Sequence, residues 1–74
     1  MDLKELRVLK ALTQKELGRR IGVSQQYISK LENGNVPWIG IIIIYKLSKA
    51  LEIDALDLCE LFINQIEEYY LLNF

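Results

Sequence analysis

A pair of closely spaced helix starts and stops in residues 13–34 constrains this chain more than any other feature. Thr13 precedes Gln14-Lys15-Glu16. Its hydroxyl is placed to accept the backbone N–H of Glu16 while the Glu16 carboxylate reaches back, a capping box. A helix therefore opens at Gln14, and it ends at Gly22, which tolerates the left-handed conformation that stops a helix. Ser24 caps another helix at once. That helix runs through Ile28 and Leu31 to Asn33-Gly34, a pair that accepts positive φ. Two short helices joined this tightly cross steeply, at roughly 90–120°. Their contact point admits only a small side chain, and Gly18 supplies it.

The apolar spacing is helical through the rest of the chain as well. Leu3, Leu6 and Leu9 predict a first helix over about residues 2–11. Val36, Pro37 and Gly40 mark a loop. The run Ile41 to Ile44 is β-branched and reads as a strand taken alone. However, Ile44, Leu47, Ser48 and Leu51 continue at helical spacing, so a fourth helix is expected from about Ile39 to Leu51. Asp54 caps a fifth, which holds Leu56, Leu58 and Leu61 and continues through Phe62, Gln65/Ile66, Tyr69 and Leu72. The expectation is one all-α domain of five helices over residues 1–74, with an extended C-terminal helix over about 54–74 and neither internal repeat nor linker.

Composition narrows the function classes. A chain of 74 residues buries only about 60% of its unfolded surface, so a partner, a metal or disulfides would help it. Cys59 is the single cysteine and histidine is absent, which removes an internal disulfide and a Cys/His metal cluster. The lone thiol suits a reducing cytosol and reads as a small core residue. No cofactor and no catalytic group are expected: there is no nucleophile–base pair and no phosphate-binding glycine loop. The apolar stretch Val36 to Tyr45 is far short of the roughly 18 residues of a membrane span. The N-terminus is too charged for a signal peptide. These features predict a cytoplasmic protein, with 51% hydrophobic residues providing apolar surface to spare for self-association. The net charge of −1 hides an asymmetry. Residues 1–35 carry seven basic and four acidic groups, +3 in sum; residues 36–74 carry two and six, −4 in sum. The first half can face phosphate while the second faces away.

Leu17, Ile21, Val23, Ile28 and Leu31 are apolar where a helix-turn-helix must lock on to its domain. With Gly18 and Gly22 they meet seven steric demands in one window, which an ordinary helical hairpin does not require. Removing the inward residues leaves Gln25, Gln26, Ser29, Lys30 and Asn33 on the outward face of the third helix. Glutamine pairs bidentately with adenine N6/N7, and lysine donates to guanine O6/N7. The two glutamines stand at the N-terminal end of that helix, the end that approaches base edges.

The run Leu12-Thr13-Gln14-Lys15-Glu16-Leu17-Gly18-Arg19-Arg20-Ile21-Gly22-Val23-Ser24-Gln25-Gln26-Tyr27-Ile28-Ser29-Lys30-Leu31-Glu32-Asn33-Gly34 resembles the Cro/repressor (Xre-type, lambda repressor-like) helix-turn-helix family. The resemblance extends upstream through Leu6-Arg7. Downstream it resumes at Lys46-Leu47-Ser48-Lys49-Ala50-Leu51 and reaches Ile53-Asp54-Ala55-Leu56. It implies a regulator, usually a repressor, that binds a pseudo-palindromic double-stranded DNA operator as a homodimer. By position, Gln25, Gln26, Ser29 and Lys30 would read bases. Gln14 would meet a phosphate and brace Gln25, while Ser24, Asn33 and Gly34 would hold the DNA backbone. Tyr27 either joins them or covers the helix junction. Arg7 and Glu32 match a partly buried ion pair tying the first helix to the third; the alternative is two exposed charges.

The loop Asn35-Val36-Pro37-Trp38 departs from the family by carrying no basic residue. The stretch Glu60 to Phe74 exceeds the family's usual core and is too apolar for a free tail. Trp38, Phe62, Ile66, Tyr69 and Tyr70 are therefore expected at a dimer interface; the alternative is that the C-terminal stretch packs back on its own domain. The rival reading is a protein-interaction module of the antitoxin or bridging-factor type, which keeps the helix-turn-helix shape and binds a protein.

Overall fold

Asp2, Thr13, Ser24 and Asp54 each accept a backbone N–H where a helix begins. The computed structural model, which describes residues 1–36 and 39–73, contains five helices: α1 (Leu3–Leu9), α2 (Gln14–Ile21), α3 (Gln25–Glu32), α4 (Ile41–Leu51) and α5 (Ala55–Asn73). Asp2 with Glu5 and Thr13 with Glu16 form reciprocal capping boxes, each satisfying two otherwise orphaned donors. Those Thr13 bonds, with Arg20 and Arg19 nearby, hold the Glu16 carboxyl below the ordinary glutamate range. α2 stops at Gly22, whose φ of 76° is the left-handed geometry expected there.

Isoleucine loses to tertiary context at Ile41–Ile44. The run is the first turn of α4, not a strand, and its amides at Ile43 and Ile44 bond back to the Gly40 carbonyl. β-branching costs a helix a few tenths of a kcal/mol per residue, about 0.5. Burying Ile44 alongside Leu47 and Leu51 returns roughly 1.5–3 kcal/mol for each side chain. α4 begins two residues later than expected, after Gly40, whose extended backbone ends the loop with no side-chain cap.

α2 packs on α3 and α4, α4 on α5, and α1 on α3. Leu3, Leu17, Ile28, Leu31, Leu47 and Leu58 form the fully buried centre where they meet, and the half-buried Cys59 packs against it. Leu9, part of the spacing that marked α1, is 65% exposed, while Arg7 is buried. A spacing of three falls about 60° short of each 3.6-residue turn. Two such steps from Leu3 carry Leu9 off the core face, whereas a step of four keeps Arg7 on it. Phe62, expected at a dimer contact, is only 4% exposed and belongs to the domain's own core. Among the described residues no helix is long and apolar enough to cross a membrane.

Candidate nucleic-acid interface

Gly18 sets the crossing of α2 and α3. A Cβ placed there would stand 2.7 Å from the Val23 carbonyl oxygen and 3.2 Å from that of Ser24. Both obstacles are backbone, so no side-chain movement relieves them. The same closeness lets the Val23 N–H donate to the Gly18 carbonyl at 2.9 Å. Ile28 and Leu31 are buried from the α3 side, Leu17 and Ile21 from the α2 side, and Val23 packs half-buried against them. With the inner face filled, Gln25, Gln26 and Lys30 of α3 are exposed. This is the polar face expected to read bases, and Ser29 lies half-buried at its edge.

The residues expected at the DNA backbone fall into two groups. Asn33 and Gly34 are exposed at the end of α3, where Gly34 has a φ of 70°. The Asn33 amide donates to Ser29 Oγ at 3.4 Å. Ser24 is exposed and its Oγ accepts the Tyr27 N–H at 3.0 Å. That bond uses the oxygen as an acceptor and leaves the hydroxyl proton to donate. Tyr27 is half-buried with its side chain against the core.

Beneath this face lies a charge network. Arg7 Nε donates to Glu32 Oε2 at 2.6 Å, Arg7 Nη2 to Glu32 Oε1 at 3.1 Å and Arg7 Nη1 to the Leu12 carbonyl at 2.7 Å. The two side chains are only 10% and 3% exposed, so this is a buried, bidentate pair rather than two solvated charges. Gln14 joins it, donating from Nε2 to Glu32 Oε1 at 3.0 Å. Gln14 thus braces α3 through Glu32, and among the described residues it makes no bond to Gln25. The family resemblance implied the Arg7–Glu32 pair, but neither the Leu12 carbonyl nor the Gln14 link carried a local signal. Lys15, Arg19 and Arg20 of α2 are exposed nearby.

A family model described as Helix-turn-helix (HTH_3) matches residues 3–58, most of the 74-residue chain. The chain belongs to this Xre/lambda repressor-like helix-turn-helix family. Curated proteins and solved structures yielded no significant match. As a family member the chain is a DNA-binding helix-turn-helix regulator, and the family is generally non-enzymatic. The matched region of this helix-turn-helix regulator ends at residue 58, so most of α5 extends past it. There, Ile66 and Tyr69 are half-buried, while Tyr70 is exposed and meets Tyr69 edge-on with ring centroids 5.7 Å apart. Trp38 lies outside the described residues.

Proposed function

We propose that the chain is a sequence-specific repressor that binds a pseudo-palindromic operator as a homodimer, with α3 in the major groove. The observation that carries this reading is the exposed face of Gln25, Gln26 and Lys30 on a helix held by a glycine-tight junction and a buried ion pair. Base readout needs donors and acceptors presented in one register, and the buried junction and ion pair fix the α3 backbone that carries them. Gln25 and Gln26 pair with adenine edges and Lys30 with guanine, with Ser29 at the margin of that contact. The free proton of Ser24, the second amide proton of Gln14, and Asn33 with the Gly34 backbone hold phosphates on either side. Tyr27 supports the helix junction.

The homodimer follows from weak charge and surplus apolar surface. One recognition unit with a half-chain charge of +3 neutralises few phosphates. Two units joined on one operator add their contacts with little further entropic cost. Exposed Ile41, Leu56 and Ile63 supply apolar area for joining them.

Selection from a random duplex library at low salt tests the reading. It is expected to enrich a short inverted repeat with half-sites about one helical turn (~34–36 Å) apart. Gln25→Ala is expected to cost roughly 1–3 kcal/mol at one base pair and little elsewhere, as a base contact does. Failure of the dimeric protein to enrich any sequence would overturn the operator reading in favour of a protein-binding module.

A further inference from the structure

Among the apolar faces that the described helices leave uncovered, one on α4 and one on α5 carry opposite charge. On α4, Ile41 is 77% and Tyr45 58% exposed. Lys46 and Lys49 stand beside them, with the Lys49 ammonium 5.4 Å from the Tyr45 ring centroid. On α5, Leu56 is 78% and Ile63 53% exposed. Their spacing of seven puts them on one stripe, and Glu60 and Glu67 flank it, both exposed. From residue 55 to 73 there is no lysine or arginine at all. The other stripe of α5, through Leu58 and Phe62, is already buried in the domain's own core.

Both uncovered faces border the junction of α4 and α5. Tyr45 of α4 and Ala55 of α5 line one cleft there. Ala55 continues along its helix at steps of four through Cys59 to Ile63. Among the described residues, Lys46, Glu60 and Glu67 take part in no ion pair within the chain.

We propose that a second copy of this chain covers both faces, with α4 of each protomer docked on α5 of the other. Charge decides the pairing. Joining α5 to α5 would set Glu60 and Glu67 against their own copies with no cation on either helix, and joining α4 to α4 would do the same with Lys46 and Lys49. Crossing α4 to α5 places ammonium beside carboxylate around an apolar centre, and a two-fold axis makes the contact twice. This rests on the homodimer reading above and names the surface that reading requires.

Sedimentation of the full chain without DNA tests it. The double reversal K46E/K49E is expected to weaken the dimer at least about tenfold, and so is E60K/E67K, because each sets like charges face to face. Mixed, the two variants are expected to form a heterodimer near wild-type strength, since both crossed contacts then pair opposite charges; that rescue also shows that each variant folds. K4E/K15E, which changes net charge equally but lies off both faces, is expected to keep the dimer. A K46E/K49E chain that dimerises like the wild type overturns the crossed assignment, because an α5–α5 contact contains neither lysine. A wild-type chain that stays monomeric overturns the homodimer reading, and this assignment with it.

Discussion

The two halves of the molecule are held together by different physics. In residues 1–36, three helices each begin on a side-chain cap, and a buried guanidinium, carboxylate and amide tie all three together. From Ile39 onward, α5 starts on Asp54 but α4 has no side-chain cap, and no buried ion pair joins the two helices among the described residues; burial of aliphatic side chains does most of the holding. The first half places polar groups inside, and these fix the helix whose outward face carries others, which suits reading of base edges. Both halves leave large apolar side chains in water, Val8 and Leu9 in the first and Ile41, Leu56 and Ile63 in the second, but only in the second do they lie beside helix stripes of a single charge sign, which suits assembly. A binding surface of directional contacts needs a rigid scaffold, whereas an assembly surface needs mostly area and sign of charge.

The strongest way to break this comparison is at Arg7. Arg7→Ala removes three of the four bonds of the network and leaves the Glu32 carboxylate, with its side chain 3% exposed, short of a cation. Loss of one member of a buried pair costs about 3–5 kcal/mol, a large part of what a domain this small possesses. Urea unfolding should read that loss directly. A cost below about 1 kcal/mol would reduce the pair to an ordinary surface contact and remove the main contrast between the halves. The double replacement of Arg7 and Glu32 by apolar residues of similar volume should recover much of the stability, since it leaves no charge stranded.

Gly18 comes next. Alanine normally improves a helix interior by about 1 kcal/mol over glycine, so a gain is the default expectation for Gly18→Ala. The Val23 carbonyl 2.7 Å from the new Cβ reverses it. Overpacking of this kind costs about 1–3 kcal/mol, and here it also tilts α3 against α2. Thermal melting should show the destabilisation, and DNA affinity should fall further than melting alone explains. A variant as stable as the wild type would mean that the crossing angle tolerates movement and that the recognition face is less rigid than argued.

The same division explains what the sequence made legible. The ends of α2 and α3 were readable because their signals are local: Thr13 to Glu16, Gly22, Ser24 and Asn33-Gly34 each act within a few residues. Gly18 was readable because a tight turn between two helices forces close approach whatever surrounds it. The outward set Gln25, Gln26, Ser29, Lys30 and Asn33 followed by subtraction once the inward residues were known, and all but the half-buried Ser29 are exposed. What depended on distant partners was hidden. Gln14 and Glu32 are 18 positions apart, and nothing near either tells Gln14 to turn to Glu32 instead of Gln25. α5 is the sharper case. It carries two apolar stripes at helical spacing, one through Leu58 and Phe62, the other through Leu56 and Ile63. Periodicity shows that both exist but not which one its own domain takes. Assigning Phe62 to a partner chose the wrong stripe, and only the angle at which α5 leaves α4 decides it.

The smallest effect expected lies at that departure. α2 and α4 both end in a left-handed residue, but the first uses Gly22 and the second Glu52, at φ 76° and 53°. A residue with a Cβ pays about 1–2 kcal/mol for that conformation. The Glu52 side chain offers little in return: its contact with Lys10 is 3.5 Å long and the two side chains are 76% and 38% exposed, a pair of the kind that contributes about 0–1 kcal/mol. Glycine's greater freedom in the unfolded chain offsets part of the relief, by about 0.5–1 kcal/mol. Glu52→Gly should therefore raise stability by roughly 0.5 kcal/mol, read from the urea midpoint at unchanged slope. Gly22→Glu, the converse change, should lower stability by that strain energy, about 1–2 kcal/mol. If Glu52→Gly instead destabilised the domain, the Glu52–Lys10 contact would be holding α4 to α1 by charge, and the second half would share the polar fastening that now distinguishes the first.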